Sequence, residues 1–337
     1  MIERHFGEST PLSLGVEEEI MIVDAETFEP APAVDVLVRG ANERNLPGTL
    51  KTELHASIVE LNTNICADVE DAISALRELR AAAAEIAAEN GLAIAAAGSH
   101  PTARLETLPI VQEERYRKLI EGIGYALRRQ AVSGLHVHVG VESAERCYDR
   151  FEAVLPWLPV VLALSVNSPF VSGEPTGMLS NRAAILAELP RGGSPPEFRS
   201  YDAWEAWVER LVRLGVMEDY TRIWWDVRPH PKWGTIEVRV ADQPTSLECT
   251  ELLVRVLRDL VANASSLVRP RGDYLHNRWA AARYGLDAEL IHPLGERMAS
   301  ARELARELLG TEPPAPEAFA QLAATNVAAD LVARTLA

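Results

Sequence analysis

Four segments of the 337-residue chain carry ionisable side chains two positions apart. They are Glu17 and Glu19 in LSLGVEEEIMIVD, Glu53 and His55 in TLKTELHASIVELN, His136 and His138 in SGLHVHVGVE, and Glu237 and Arg239 in TIEVRVADQ. On an extended strand, residues i and i+2 share a face. The residues between and around them are apolar: Leu14, Val16, Ile20 and Ile22 in the first, Leu135, Val137 and Val139 in the third, Ile236, Val238 and Val240 in the last. Glu60, in SIVELN, has similar flanks. One such pair is what any solvated sheet face shows. Four pairs made only of Glu, His and Arg call for another explanation, because glutamates packed on one sheet repel each other. A divalent cation removes that repulsion. Carboxylate oxygens with an occasional imidazole suit Mg²⁺ or Mn²⁺.

A metal cluster of this kind admits several chemistries. No GxxxxGK[ST] stretch is present, so a P-loop is excluded. Divalent ions can still bridge carboxylates to the phosphates of a nucleotide, and Arg239 would then stabilise a transferring phosphoryl group. His136 and His138 also form an H-x-H strand motif, as in metal-dependent amidohydrolases. That reading needs more histidines on later barrel strands. His230, His276 and His292 fall in Pro-rich or helical contexts, and the glutamates of residues 17–60 would have no role. A phosphotransferase that stops at phosphorylation is the other alternative. In GVEEEI, alternation puts Glu18 on the apolar face, so it should meet an arginine or a backbone amide there rather than a metal.

The elements that must position these residues follow from periodicity. Residues 12–24, 92–98 and 133–142 read as strands, and 49–64 as two short extended segments or one bent strand. Residues 222–228 and 234–241 flank PHPKWG and read as a hairpin. A helix is expected over 68–90, capped by Asp68 and ended by Gly91, with Ile73, Leu76, Ala83 and Ile86 on its apolar face. Further helices are expected over 112–130, through most of 144–215, and at 246–268, about 286–309 and 315–335. The breaks at 169–177 and 190–196 are loops; the second, with Gly192 and Gly193, is either a lid or a connector. Strands and helices interleave irregularly, with at least one hairpin. The fold class is therefore α+β: a mostly antiparallel sheet with helices on one face. We expect one domain over 1–337, with a helical C-terminal part from about 246.

Composition narrows the partners. The net charge of −16 argues against nucleic acid and anionic membranes. No apolar run reaches membrane-spanning length. Cys66, Cys147 and Cys249 are widely spaced and suggest neither disulfides nor a zinc site, which points to a reduced, cytoplasmic protein. Cys66 reads as a small buried apolar residue, Trp224 and Trp225 as core and rim packing, and His230 as a turn residue bordering the site. Lys51, Lys118 and Lys232 are the only lysines, so Arg carries most positive charge. Arg suits bidentate phosphate contacts, although codon bias would leave the same signature.

Taken in order, GVEEEI, ELHASIVELN, GLHVHVG, TIEVRVADQP and NRWAAARYGLDA resemble the glutamate–cysteine ligase type 2 family, in particular its short carboxylate–amine ligases, from about residue 12 to 290. The resemblance implies a curved, mostly antiparallel sheet like that of glutamine synthetase and the guanidino kinases, with ATP and Mg²⁺ (or Mn²⁺) on its concave face. It implies that Glu19, Glu53 and Glu60 hold one ion, near the acid substrate. Glu17, His136 and Glu237 would hold a second, bridging ATP phosphates. Arg239 would contact the γ-phosphate, and His138 would lie near the nucleotide phosphates. Asn62 and Arg228 would contact substrate or phosphate, with Arg278 and Arg283 as further substrate contacts. The implied partners are a small carboxylate and an amine, with glutamate and cysteine as reference pair. The implied assembly is a homo-oligomer, taken as a dimer.

Overall fold

The structure is a computed structural model and describes residues 2–263 and 269–336. The alternating segments assemble into one antiparallel sheet of seven strands. They are β1 (Leu14–Asp24), β2 (Gly48–Thr52), β3 (Ile58–Thr63), β4 (Leu92–Ala95), β5 (Gly134–Gly140), β6 (Val227–His230) and β7 (Thr235–Asp242). The order across the sheet is β6-β7-β5-β1-β3-β2, with β4 paired to the far half of β1. Register does the positioning. Glu17 lies opposite His136 on β5 and Asn62 on β3, and Glu19 lies opposite Glu60. Glu237 lies opposite His138 and Arg228. Because paired residues point to the same side, the polar residues of five strands converge on one face.

The other face carries the apolar residues that alternation assigned to it, and all of them are buried. The helix Val69–Glu89 covers it, with Ile73, Leu76, Leu79, Ala83 and Ile86 buried. Each large side chain there contributes about 1.5–3 kcal/mol of burial. Asp68 starts this helix by accepting from Asp71 N–H at 3.0 Å. The helices Leu158–Ser165 and Leu247–Asn263 extend the same layer. Glu18 lies within it, wholly buried, and takes Arg80 Nε and Nη2 at 2.7 and 2.6 Å, Gln243 at 2.9 Å and Thr250 Oγ at 2.8 Å. The expected arginine behind the sheet is Arg80.

Several boundaries differ from expectation. Residues 49–64 form two strands, and Glu53 and His55 lie in the connection between them rather than on a strand. The helix expected over 112–130 runs Glu114–Ile123 and then breaks at Gly124, whose φ is +79°. The stretch read as helix from 286 opens with a hairpin, Glu289–Ile291 against Met298–Ser300, before the helix Ala301–Leu309. Strands of three residues are too short to show a period, and Pro293 and Gly295 mark the turn instead. The C-terminal stretch is two helices, Glu317–Ala323 and Val327–Thr335. The end of the helix expected over 246–268 falls at 264–268, outside the described residues. Among the described residues, no helix is long and apolar enough to cross a membrane.

Candidate active site

Among the described residues, three groups bring ligand atoms within 4.8 Å of one another: Glu19, Glu53 and Glu60; Glu17, Glu60 and His136; Glu17, His138 and Glu237. The first is the set expected for one ion. The expected second set of Glu17, His136 and Glu237 does not gather. Register sets Glu17 opposite His136 but Glu237 opposite His138, and Glu17 reaches diagonally to His138 as well, so it divides its two oxygens between the histidines. His136 Nδ1 is 3.1 Å from Glu17 Oε2, and His138 Nε2 is 3.4 Å from Glu17 Oε1. His136 Nε2 is buried, has no hydrogen-bond partner and lies 3.8 Å from Glu19 Oε1. An orphaned imidazole nitrogen among carboxylate oxygens fits a divalent cation.

The electrostatics agree. Burial, together with Glu17 and Glu53, raises the Glu60 carboxyl well above its ordinary range, and burial raises Glu19. Glu17 is held well below that range, because its bonds to His136 and His138 outweigh burial. Glu237 is held low against burial by Arg228 and Arg239. Burial and Arg239 push the His136 pKa down, whereas Glu237 and Glu17 lift that of His138 against its burial. One subset is thus strongly anionic and another is strained by its own charge. That is the state a bound cation relieves.

The arginines differ in their engagement. Arg239 Nη1 donates to Glu237 Oε1 at 2.5 Å and stands 3.4 Å from His136 Nδ1, so it borders both histidine groups. Arg228 grips Glu237 through Nε at 2.6 Å and Nη2 at 3.1 Å, and its Nη1 caps the carbonyls of Thr221 and Ile223. Its first role is therefore to anchor Glu237. Asn62 donates to Glu60 at 2.7 Å and accepts from Lys51 Nζ at 3.0 Å. Arg278 is not brought to the cluster. It forms a buried pair with Asp226 at 2.6 and 3.0 Å, which also takes Tyr274 Oη at 2.6 Å. Arg283 lies against Tyr284 and Gly177, away from the sheet face. Both sit on the helix Arg271–Tyr284, which packs behind the loop carrying Gly193 and Asp226.

Two chambers meet at Glu17. The first, about 290 Å³, is lined by Glu17, Glu19, Glu53, Glu60 and His136 and by the arginines Arg115, Arg182, Arg222, Arg228 and Arg239. Tyr116, on the helix Glu114–Ile123, also lines it and donates to Thr52 O at 3.1 Å. The second, about 300 Å³, lies across Glu17 and is lined by Lys51, Asn62, Ile65, His138, Trp233 and Thr235, with small polar residues. Ile65 and Trp233 remain 76% and 55% exposed, large apolar groups on a chamber rim. His230 packs between Trp233 and His138, and burial pushes its pKa down to about 3, so it is neutral. Trp225 is core, stacked on Trp207, while Trp224 lines the first chamber. Gly192 and Gly193 pair in parallel with Trp224 and Trp225, and Asp226 N–H donates to Gly193 O at 2.8 Å. That ties loop 190–196 to the Trp224–Asp226 segment, and none of its residues lines either chamber.

Arg182 is, with Arg115, Arg222 and Trp233, among the chamber residues that sequence reasoning missed. It is 2% exposed, lines the first chamber and comes from the helix Asn181–Leu186. No strand alternation marks it; the Ser180 cap two residues earlier is the only local signal.

The sequence profile of glutamate-cysteine ligase family 2 (GCS2) matches residues 13–328. The chain is 41% identical over 312 residues to a Rubrobacter xylanophilus protein named "Putative glutamate--cysteine ligase 2-3", covering 92% of this chain and 85% of that one. It is 38% identical over 306 residues to a Sorangium cellulosum protein named "Putative glutamate--cysteine ligase 2", covering 88% and 82%. Among solved structures it is similar to the glutamate–cysteine ligase of Francisella tularensis in complex with AMP, with a TM-score of 0.67 at 15% identity over 97% of this chain and 82% of that one. The bifunctional glutathione synthetase of Pasteurella multocida gives a TM-score of 0.61 at 18% identity, covering 97% of this chain and 51% of that one. At those identities the likeness bears on the fold, a mixed helix and antiparallel-sheet arrangement of the glutamate–cysteine ligase kind.

Proposed function

The chain belongs to glutamate-cysteine ligase family 2, the family of an ATP-dependent C–N ligase, and from that premise we propose that it joins a carboxylic acid to an amine through an acyl phosphate. The observation that carries this reading is the pair of chambers meeting at Glu17, one cationic-walled and acid-floored, the other neutral with an apolar rim. The first takes the carboxylate substrate and the phosphates. The second takes the nucleoside, with its base against Trp233 and Lys51 beside the triphosphate. Glu19, Glu53 and Glu60 would hold one Mg²⁺, and Glu17 with His138 and Glu237, or with His136 and Glu60, a second; Mn²⁺ has the same donor preferences. Bound cations would supply the charge neutralisation that lets a carboxylate approach a triphosphate.

The chain's own residues do the rest. Arg239, fixed by Glu237, faces the γ-phosphoryl group and stabilises its charge as a carboxylate oxygen of the acid attacks phosphorus and ADP leaves. An amine nitrogen then attacks the acyl carbon and loses a proton, and phosphate departs, leaving an amide. The walls hold the acid and ATP in line and exclude water from the acyl phosphate. With glutamate and cysteine the products are γ-glutamylcysteine, ADP and phosphate. The free Cys66, Cys147 and Cys249 suit a reducing cytoplasm and take no part. Asn62 tunes Glu60, and Arg228 supports Glu237.

The test is incubation with Mg-ATP, a panel of carboxylates and hydroxylamine. Hydroxamate and ADP should appear together for at least one acid, and Glu19→Gln should lower the rate on the order of 100-fold or more. A stable phosphorylated product that forms without hydroxylamine and never yields hydroxamate would establish a phosphotransferase instead. Activity with tightly held zinc and no ATP would establish an amidohydrolase.

A further inference from the structure

β7 is irregular at the residue that faces the phosphoryl group. Val238 pairs with Val137 and Ala241 with Leu135, so Arg239 and Val240 together oppose His136. An extra residue of this kind leaves backbone groups outside the ladder and re-aims the side chain beside it. The freed carbonyls do not go unpaired. Arg182 Nη2 donates to Arg239 O at 3.0 Å, and Nη1 to Val240 O at 3.3 Å.

The guanidinium is brought there by a built support. Its own backbone N–H donates to Ser168 Oγ at 3.1 Å. The hydroxyls of Ser168 and Ser180 donate to Asp242 at 2.7 and 2.8 Å, at the end of the same strand β7. On its other side the guanidinium lies flat over Gly134. A Cβ at residue 134 would meet Nη2 at 2.0 Å and Cζ at 2.5 Å, so only glycine leaves room. Gly134 N–H in turn donates to Glu19 Oε2 at 2.5 Å. Among the described residues, the Nε of Arg182 has no acceptor and no carboxylate pairs with the guanidinium directly. A buried cation is costly. A planar fork that serves two adjacent carbonyls is something only arginine provides.

We propose that Arg182 is a positioning residue for phosphoryl transfer: its guanidinium holds the β7 bulge in the form that aims Arg239 into the metal-ligand cluster. The inference rests on the reading of Arg239 given under the proposed function. It predicts that the effect of Arg182 on phosphoryl transfer runs through Arg239.

The experiment is a double-mutant cycle of Arg182→Gln, Arg239→Gln and the double variant in the full chain. It is read by kcat and by calorimetric binding of Mg-ADP with and without fluoroaluminate, a mimic of the transferring phosphoryl group. Arg182→Gln should lower kcat and fluoroaluminate-dependent affinity by about 10–100-fold, as supporting-residue losses do. It should leave the affinity for Mg-ADP alone within about threefold, and in the Arg239→Gln background it should have almost no further effect. Gly134→Ala, which displaces the guanidinium tip and keeps its charge, should reproduce this pattern, and it serves if Arg182→Gln fails to fold. Equal losses in both backgrounds, or wild-type kcat in Gly134→Ala, would overturn the proposal while Mg-ADP binding by the wild type still upheld the ligase reading. Failure of the wild-type chain to bind Mg-ADP would overturn that reading and this inference with it.

Discussion

Three adjacent glutamates in one strand serve two opposite environments. Glu17 and Glu19 face the carboxylate and imidazole cluster, while Glu18 is wholly buried behind the sheet on Arg80. Glu18→Gln leaves Arg80 without its counter-charge in the core, so it should cost about 3–5 kcal/mol in denaturant unfolding while Mg-ATP affinity persists in the folded fraction. Glu17→Gln should do the reverse, with turnover lost and stability nearly kept. Protonation offers a second handle. Burial raises Glu19 and Glu60 above their ordinary 4.5, so without metal the folded chain keeps protons there that the unfolded chain has lost. Folding is then weakened as pH rises from about 4.5 through the raised values. Mg²⁺ needs the deprotonated ligands, so the melting-temperature gain it gives should grow with pH across that window, and a pH-independent gain would contradict the assignment. Alternation made the split among the glutamates legible. It could not name Arg80, which lies 62 residues away, and it missed Arg182, whose place depends on a short helix and a glycine on another strand.

At the scale of elements, strands with strict alternation and the long capped helix were legible because one side chain in two, or one face in 3.6, had to be apolar. The connection holding Glu53 and His55 was not, since a tight turn between two paired strands keeps the same residue types as a bent strand. The hairpin at 289–300 hid in a stretch too short for any period. The β7 bulge is likewise invisible in TIEVRVADQ, because it is defined by pairing with β5. Arg278 and Arg283 share a helix with the family-like NRWAAARYG stretch, yet that helix serves the back of the loop around Asp226. Asp242 ties the elements together, accepting from Asn167 N–H at 2.9 Å and from Ser168 and Ser180. Asp242→Asn replaces one acceptor oxygen by a donor in this buried network, and unfolding in urea should show a loss of about 2–3 kcal/mol.

For the molecule as a whole, the sheet acts as a floor shared by two chambers, with Glu17 on the boundary. The division predicts separable defects. Trp233→Ala removes a base-stacking surface worth about 1–3 kcal/mol, so it should raise the KM for ATP on the order of tenfold and leave the KM for the acid unchanged. Initial-rate kinetics with each substrate varied would check this, and a change in the acid KM alone would reverse the two assignments. Fold class, the face that gathers the glutamates and histidines, and the family resemblance could be read from the chain because they rest on local period and motif order. The division into chambers depends on how distant segments close over the sheet, which no single stretch encodes. The central claim is that the acid is activated as an acyl phosphate, and isotope transfer tests it most directly. The acid that supports hydroxamate formation, with glutamate first, is labelled with ¹⁸O in the reacting carboxylate and turned over with Mg-ATP and amine. The account predicts that each phosphate released carries one ¹⁸O from the acid; phosphate without label, alongside amide product, would contradict it.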